Sequence, residues 1–222
     1  MDHRNHACWV SKSLGPKTEN GNMKPVLAHG IQAMSIGFLV DEASPMVWRG
    51  PMVTQALEQL LKNTEWNDVD YMIVDLPPGT GDTQLTLSQR IPVSGAIIVT
   101  TPQDIALIDA KKGLGMFEKV NIPILGIIEN MSIHICSNCG HSEEIFGHGG
   151  GQSMALDSET NFLGALPLQI DIRTDVDEGK PTVIKSPESK ASQIYQEIAR
   201  KTAAMLSLQS ETVGAFPNIT IE

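Results

Sequence analysis

The sequence predicts an α/β fold, with a mostly parallel sheet that carries helices on both faces. From about residue 34 onwards, short apolar runs alternate with amphipathic stretches, which is the pattern of strands joined by crossover helices. Three runs are apolar at successive positions, so helices are expected to cover both faces of each strand. These runs are residues 71–76, 95–101 and 124–130.

Length, composition and charge limit the class of protein. The chain has 222 residues, 41% of them hydrophobic, which is enough for one sizeable core. Its net charge is −10 and its basic residues stand singly or as isolated pairs, so no basic stripe is available for nucleic acid. No run approaches the roughly 20 apolar residues of a membrane span. We therefore expect a cytoplasmic protein with neither a nucleic-acid nor a membrane partner.

The chain divides by composition into three parts. Residues 1–30 are rich in Lys, Asn, Gly, Pro and His without a hydrophobic period, so they are expected to form a flexible leader with little fixed structure. Residues 31–206 form the predicted α/β domain, which ends in an amphipathic helix from about residue 188 to 206. Residues 207–222 are expected to be a frayed tail.

Polar or turn-forming residues follow four of the predicted strands. In open parallel sheets, binding sites lie at the carboxyl ends of strands. Each segment taken alone fits an ordinary loop with turn and helix-cap residues, and we expect Asp104 to be an N-cap and Asp109 to be a solvated helix charge. Together the segments predict one site along one edge of the sheet. They are residues 75–82, 101–104, 129–131 with the cysteine loop, and 166–168.

The first of these segments has the residues of a magnesium and phosphate site. Asp75 ends a short apolar strand, where nucleotide hydrolases place a carboxylate that binds Mg²⁺ directly or through water. The Pro-Pro-Gly-Thr-Gly string that follows suits a loop that responds to a γ-phosphate.

Two of the three cysteines lie in the string Cys136-Ser-Asn-Cys139. A turn of this length brings two thiolates to one side of a loop, and thiolates bind both iron-sulfur clusters and zinc. Three hypotheses remain open: a cluster site, a zinc site completed by His134 or His141, and a redox pair. The motif does not open a helix after a first strand, which disfavours the redox pair. Cys8 lies in the predicted leader and is expected to be a bystander.

Several strings together resemble the Mrp-type iron-sulfur cluster carrier ATPases. They are WRGPM, VDLPPGTGDTQLTLSQ, TTPQDIALIDAKKG and ENMSIHICSNCG, in this order. The resemblance runs from about residue 36 to 206. That family belongs to the deviant P-loop NTPase group, which includes nitrogenase iron protein and the bacterial cell-division and partition ATPases.

The resemblance implies roles for six residues. Asp75 becomes the residue on the magnesium side, and Gly79 lies in the switch loop. Asn130 contacts adenine, although it also fits a residue that caps its own loop, and Pro167 is assigned to the nucleotide as well. Cys136 and Cys139 hold a [4Fe-4S] cluster shared between two subunits. The implied cofactors are this cluster, ATP and Mg²⁺, and the implied partners are a second copy of the chain and apo iron-sulfur proteins.

One element of the family pattern does not occur in these 222 residues. A P-loop requires a glycine-rich string that ends in Gly-Lys-Ser/Thr, and the sequence contains none. We expect the first βα units, which carry that loop in the family, to be missing. ATP hydrolysis by this chain is therefore predicted to fail. The glycine-rich residues 147–151 lack the lysine, and we interpret them as a hinge or as a loop that leads into a helix.

Three functional hypotheses follow. The first is a carrier that transfers a [4Fe-4S] cluster to apo-proteins, driven by ATP in the intact family. The second is a non-enzymatic metal-binding or dimerisation module. The third is a partition-type positioning ATPase, which the cysteine pair disfavours because positioning cargo needs no thiols.

Overall fold

The computed structural model describes residues 18–19, 22–38, 50–76, 81, 84–86 and 91–213. The chain divides into two compact units. The first comprises Met1–Pro92 and Gln169–Pro187, and the second comprises Val93–Leu168 and Glu188–Glu222. Each unit is described by itself. The predicted domain boundaries at residues 31 and 206 stay predictions.

The described residues form short strands and α-helices, and residues 84–86 are also helical. The strands are β1 Thr18–Glu19, β2 Asn22–Met23, β3 Val26–Ala28, β4 Ile31–Ala33, β5 Ala96–Thr100, β6 Ile124–Glu129, β7 His134–Ile135, β8 Ser142–Glu143 and β9 Phe162–Ala165. The helices are α1 Gly50–Lys62, α2 Asp104–Lys119, α3 Gly150–Asp157, α4 Ile170–Asp177, α5 Thr182–Lys185 and α6 Lys190–Val213. Among these described helices, none is both long and apolar enough to cross a membrane.

The first unit contains two antiparallel strand pairs, β1 with β2 and β3 with β4. The turn between β3 and β4 is His29-Gly30, and both residues have positive φ angles, 51° and 81°. Two such residues match the twist of a tight hairpin. Strands β1 to β3 lie inside residues 1–30, so the expectation of little fixed structure was wrong for the described part of that stretch.

Residues 71–76 of the first unit form no strand, which corrects the sequence prediction. Ile73 is 93% exposed and Tyr71 is 61% exposed. An apolar run becomes a buried strand only when a neighbouring strand pairs with its backbone and other elements cover its faces. No strand among the described residues pairs with this run.

The second unit is built on a parallel sheet with the strand order β5-β6-β9. Strand β6 is buried from Leu125 to Glu129, and Ile127 is completely buried. Helix α2 packs against β5, α3 against β6, and α6 against β9. The predicted α/β class with a parallel sheet is therefore confirmed. One detail differs, because β5 buries only alternate residues and leaves Ile97 and Val99 exposed.

The last helix is longer than predicted. Helix α6 runs from Lys190 to Val213, so it continues seven residues into the stretch that was expected to be a tail. Its buried Ile198 packs with Ile128, Leu163 and Leu166 in the core of the second unit. These contacts fix the end of the sheet from which the cysteine loop extends.

A buried carboxylate joins α4 to α5 in the first unit. Asp175 is only 4% exposed. It accepts a hydrogen bond from the Thr182 hydroxyl at 2.9 Å and pairs with the Lys185 ammonium at 2.8 Å. The hydrogen bond from Lys185 holds the pKa of Asp175 below its usual range, and the bond from Thr182 adds to this effect.

We predict that Asp175→Asn lowers the free energy of unfolding at neutral pH by about 1 to 3 kcal/mol, because a buried hydrogen bond to a charged group is lost. The folded carboxyl has the lower pKa, so its contribution is complete above about pH 4 and disappears as the pH falls further. The stabilities of the two proteins should therefore converge in acid. Urea unfolding at a series of pH values measures this, with the exposed Asp171→Asn as a control. A difference that stayed constant into acid would contradict the prediction.

Candidate functional site

Backbone pairing continues beyond the ends of β6 and β9. The Leu166 N–H donates to the Glu129 carbonyl at 2.8 Å, and the Ser132 N–H donates to the Leu166 carbonyl at 3.0 Å. One step further, the Leu168 N–H donates to the Ile133 carbonyl at 2.8 Å. The segment that leaves the sheet is thus held along residues 166–168 as far as the start of β7.

The two cysteines lie at the tip of a small hairpin formed by β7 and β8. The Cys136 N–H donates to the His141 carbonyl at 2.9 Å, and the Gly140 N–H donates to the Cys136 carbonyl at 2.9 Å. Gly140 has a φ of 71°, a conformation that glycine adopts without steric cost. These bonds curl residues 136–140 into one tight turn that carries both thiols.

Cys136 is half-buried and Cys139 is exposed, and both are free thiols. Backbone hydrogen bonds from Cys139 and Asn138, in that order of size, lower the pKa of the Cys136 thiol, and the Cys139 side chain adds to the effect. Burial and the Glu143 carboxylate oppose it. A turn that directs N–H groups at a sulfur stabilises the thiolate, which is the form that binds metal.

No group of three or more His, Cys, Asp or Glu side chains comes together as a metal site in the part of the chain that the structure describes. His134 uses its Nδ1 atom in a 3.2 Å contact with the Leu168 carbonyl. His141 lies with its Nε2 atom 3.6 Å from Glu143. The set of two cysteines and one histidine considered for zinc is therefore not assembled among these residues.

Asn130 and Pro167 lie at the carboxyl ends of neighbouring strands. The Asn130 N–H donates to the Thr100 carbonyl at 2.7 Å, and its side-chain oxygen accepts the Met131 N–H at 3.0 Å. Asn130 thus caps its own loop, and an adenine contact stays a prediction. Met131 has a φ of 54°, so the chain bends sharply as it leaves β6. Pro167 is buried just beyond β9.

Asp75 lies in the first unit, where its side chain is exposed. Gly79 lies outside the described residues. On α2, the N-cap is Gln103 and Asp104 is the first helical residue. The N-cap predicted from the sequence therefore lies one residue after the observed one. Asp109 is an exposed charge that pairs with Lys112 at 2.9 Å.

The sequence places Glu129 in a predicted site segment but assigns it no role, and the structure shows it buried beside the cysteine loop. Glu129 is 2% exposed, and its carboxylate accepts the Gly151 N–H at 2.6 Å. Gly149 is the N-cap of α3, with a φ of 63°, so residues 147–149 end a loop that leads into the helix, and residues 150–151 begin the helix itself. The available signal was a glutamate at the end of an otherwise apolar strand.

We predict that iodoacetamide alkylates Cys136 faster than an ordinary cysteine near neutral pH, because the backbone hydrogen bonds from Cys139 and Asn138 favour its thiolate. Peptide mass spectrometry after short pulses from about pH 6 to about pH 10 measures the rate at each cysteine. The rate at Cys136 should rise at a lower pH than that of a free cysteine peptide. A profile at Cys136 that matches the peptide would contradict the proposed role of the turn.

Comparison with known proteins gives one family. The profile of the NUBPL iron-transfer P-loop NTPases, in the ParA group, matches residues 9–203. The iron-sulfur cluster carrier protein of Salmonella typhimurium is 57% identical over 199 residues, which are 89% of this chain and 54% of that protein. The iron-sulfur cluster transfer protein NUBPL of Mus musculus is 48% identical over 86% of this chain and 60% of its own length. The chain spans little more than half the length of these relatives.

Solved structures agree with the fold. The nucleotide-binding protein of Archaeoglobus fulgidus, in complex with ADP, is 29% identical with a TM-score of 0.66, covering 83% of this chain and 72% of that one. The cell division ATPase MinD of Pyrococcus furiosus is 21% identical with a TM-score of 0.52, covering 71% and 59%. This second likeness concerns the fold alone. The family match extends over most of the chain, and the chain therefore belongs to the NUBPL iron-transfer P-loop NTPases.

Proposed function

We propose that this protein is an Mrp-type carrier that binds a [4Fe-4S] cluster between two copies of the chain and transfers it to apo iron-sulfur proteins. The observation that carries the proposal is the turn at residues 136–140, which presents two thiols and directs backbone N–H groups at Cys136. Relatives that are 57% and 48% identical are named as a cluster carrier and a cluster transfer protein.

The number of ligands supports a cluster shared by two chains. A [4Fe-4S] cluster is held by four cysteine thiolates, and one turn offers Cys136 and Cys139. No third metal-binding side chain joins them among the described residues. A twofold axis through the cluster would bring the same turn from each copy to opposite sides. The cluster is in this case the cargo of the protein.

The position of the turn suits transfer. Cys139 and the residues on either side of it are exposed, so a recipient protein could reach a cluster held there. A cluster bound by two loops at a surface also exchanges ligands more readily than one enclosed in a core. A reducing cytoplasm, the compartment we propose, would keep both thiols free for the metal.

The nucleotide part of the proposal rests on the family. We propose that Asp75 and Gly79 act on the magnesium and phosphate side, and that Asn130 and Pro167 contact the nucleoside. The 222 residues contain no Gly-Lys-Ser/Thr loop that could bind the phosphates. We therefore derive no hydrolytic step for this chain. The two free thiols of the turn also suit a second candidate, a module that binds metal and dimerises without turnover.

We predict one [4Fe-4S] cluster per two chains after anaerobic reconstitution, because four thiolates require two turns. Iron and acid-labile sulfide assays with light scattering measure this ratio. Cys136→Ala or Cys139→Ala should abolish the cluster, whereas Cys8→Ala should leave it unchanged. A cluster retained in Cys136→Ala would move the assignment to another metal site.

We also predict that the 222-residue chain hydrolyses no ATP above background, since electrostatic stabilisation of the transferring phosphoryl group carries most of that reaction. A phosphate-release assay with and without Mg²⁺ measures this. In a version extended by a P-loop segment, Asp75→Asn should remove Mg²⁺-dependent turnover without loss of the fold. Robust turnover by the chain as printed would refute the first statement, and an active Asp75→Asn variant would refute the second.

A further inference from the structure

The cysteine hairpin has two connections to the sheet. The outgoing connection, residues 130–133, is held along residues 166–168 by backbone hydrogen bonds. The return connection leads from β8 through residues 144–149 to the start of α3. The hairpin between them has only two residue pairs, and so short a hairpin is marginally stable by itself. Its geometry must therefore depend on both connections.

The return connection reaches α3 at Gly150 and Gly151, where neighbouring atoms leave no room for a side chain. A Cβ atom on Gly150 would lie 2.6 Å from Leu107 and 3.0 Å from the Pro102 carbonyl, and one on Gly151 would lie 3.0 Å from the Cβ of Glu129. These two glycines thus pass between the loop after β5 and the end of β6. Their backbone is held closely on both sides.

Glu129 supplies the polar contact in this space. It is the last residue of β6 and is 2% exposed, and its carboxylate accepts the Gly151 N–H at 2.6 Å. Gly151 is in the first turn of α3, where free N–H groups and the helix dipole favour a negative charge. A buried carboxylate is costly when it lacks such partners, so this contact strongly favours one position of the helix start.

We propose that Glu129 is a positioning residue for the cysteine hairpin. Its carboxylate closes the loop of residues 130–150 by fixing the start of α3 against the strand from which the loop departs. Both connections of the hairpin then end on the same strand, and the turn with Cys136 and Cys139 is held in one orientation. The consequence for the cluster rests on the proposed function, whereas the consequence for the hairpin does not.

The first test uses the metal-free chain. Hydrogen exchange at the Cys136 and Gly140 amides reports whether the hairpin opens. We expect Glu129→Leu, which removes the acceptor at similar volume, to speed exchange at both amides by about tenfold or more. Glu129→Gln keeps an acceptor and should stay within about threefold of the original chain. Ile198→Ala, a matched control in the core, should destabilise the protein without a selective effect on the hairpin.

Glu129→Asp covers the case in which Glu129→Leu does not fold. The shorter side chain keeps the charge but cannot reach the Gly151 N–H from the same backbone, so it should also speed exchange at the hairpin. Exchange within about twofold of the original chain in a folded Glu129→Leu or Glu129→Asp protein would overturn the proposal. Equal acceleration in Glu129→Gln would overturn the role of the hydrogen bond.

The second test uses the reconstituted protein. Capture of iron by bipyridyl should be about tenfold faster from Glu129→Leu than from the original chain, with Glu129→Gln close to the original. An unchanged capture rate in Glu129→Leu would overturn the link to the cluster. Failure of the original chain to take up a cluster would refute the proposed function instead, and the exchange experiment would still decide the role of Glu129.

Discussion

The candidate site depends on backbone pairing that continues past the ends of two neighbouring strands. The bonds between residues 129–133 and 166–168 extend the edge of the sheet to the start of the cysteine hairpin. Rigid elements position functional groups better than free loops do. The Cys136 turn can therefore be exposed, as transfer of a cluster would require, and still have a defined place relative to the core that Ile128, Leu163 and Ile198 form.

The fold was predictable where a pattern in the sequence had a local cause. Residues 124–128 are apolar and, together with Glu129, form a strand buried from Leu125 to Glu129. The same reasoning failed at residues 71–76, which are as apolar but have no pairing strand among the described residues. A hydrophobic pattern shows what a segment can bury and does not show what is present to cover it. The β3 to β4 hairpin was missed because its turn, His29-Gly30, has only one glycine as a signal.

The candidate site was also predictable only in part: local features could be predicted from the sequence, whereas contacts between distant residues could not. The spacing of Cys136 and Cys139 forces the two thiols into one turn, and this could be read directly from the sequence. The contact between Glu129 and Gly151 could not, because it joins residues 22 positions apart through the packing of a strand and a helix. The sequence predicts Asp104 as the N-cap because aspartate is a common cap residue. In the structure, Gln103 has that position and Asp104 begins the helix.

The central claim is that two copies of the chain share one cluster through their cysteine turns, since a single turn has half of the thiolates that a [4Fe-4S] cluster requires. Native mass spectrometry of the anaerobically reconstituted protein tests this most directly, because it weighs the intact assembly with its inorganic content. The account predicts a species of two chains with one cluster of four irons and four sulfides. It also predicts that this species is lost when Cys139 is replaced by alanine. A single chain that carries the complete cluster, or a chain that carries one zinc ion instead, would contradict it.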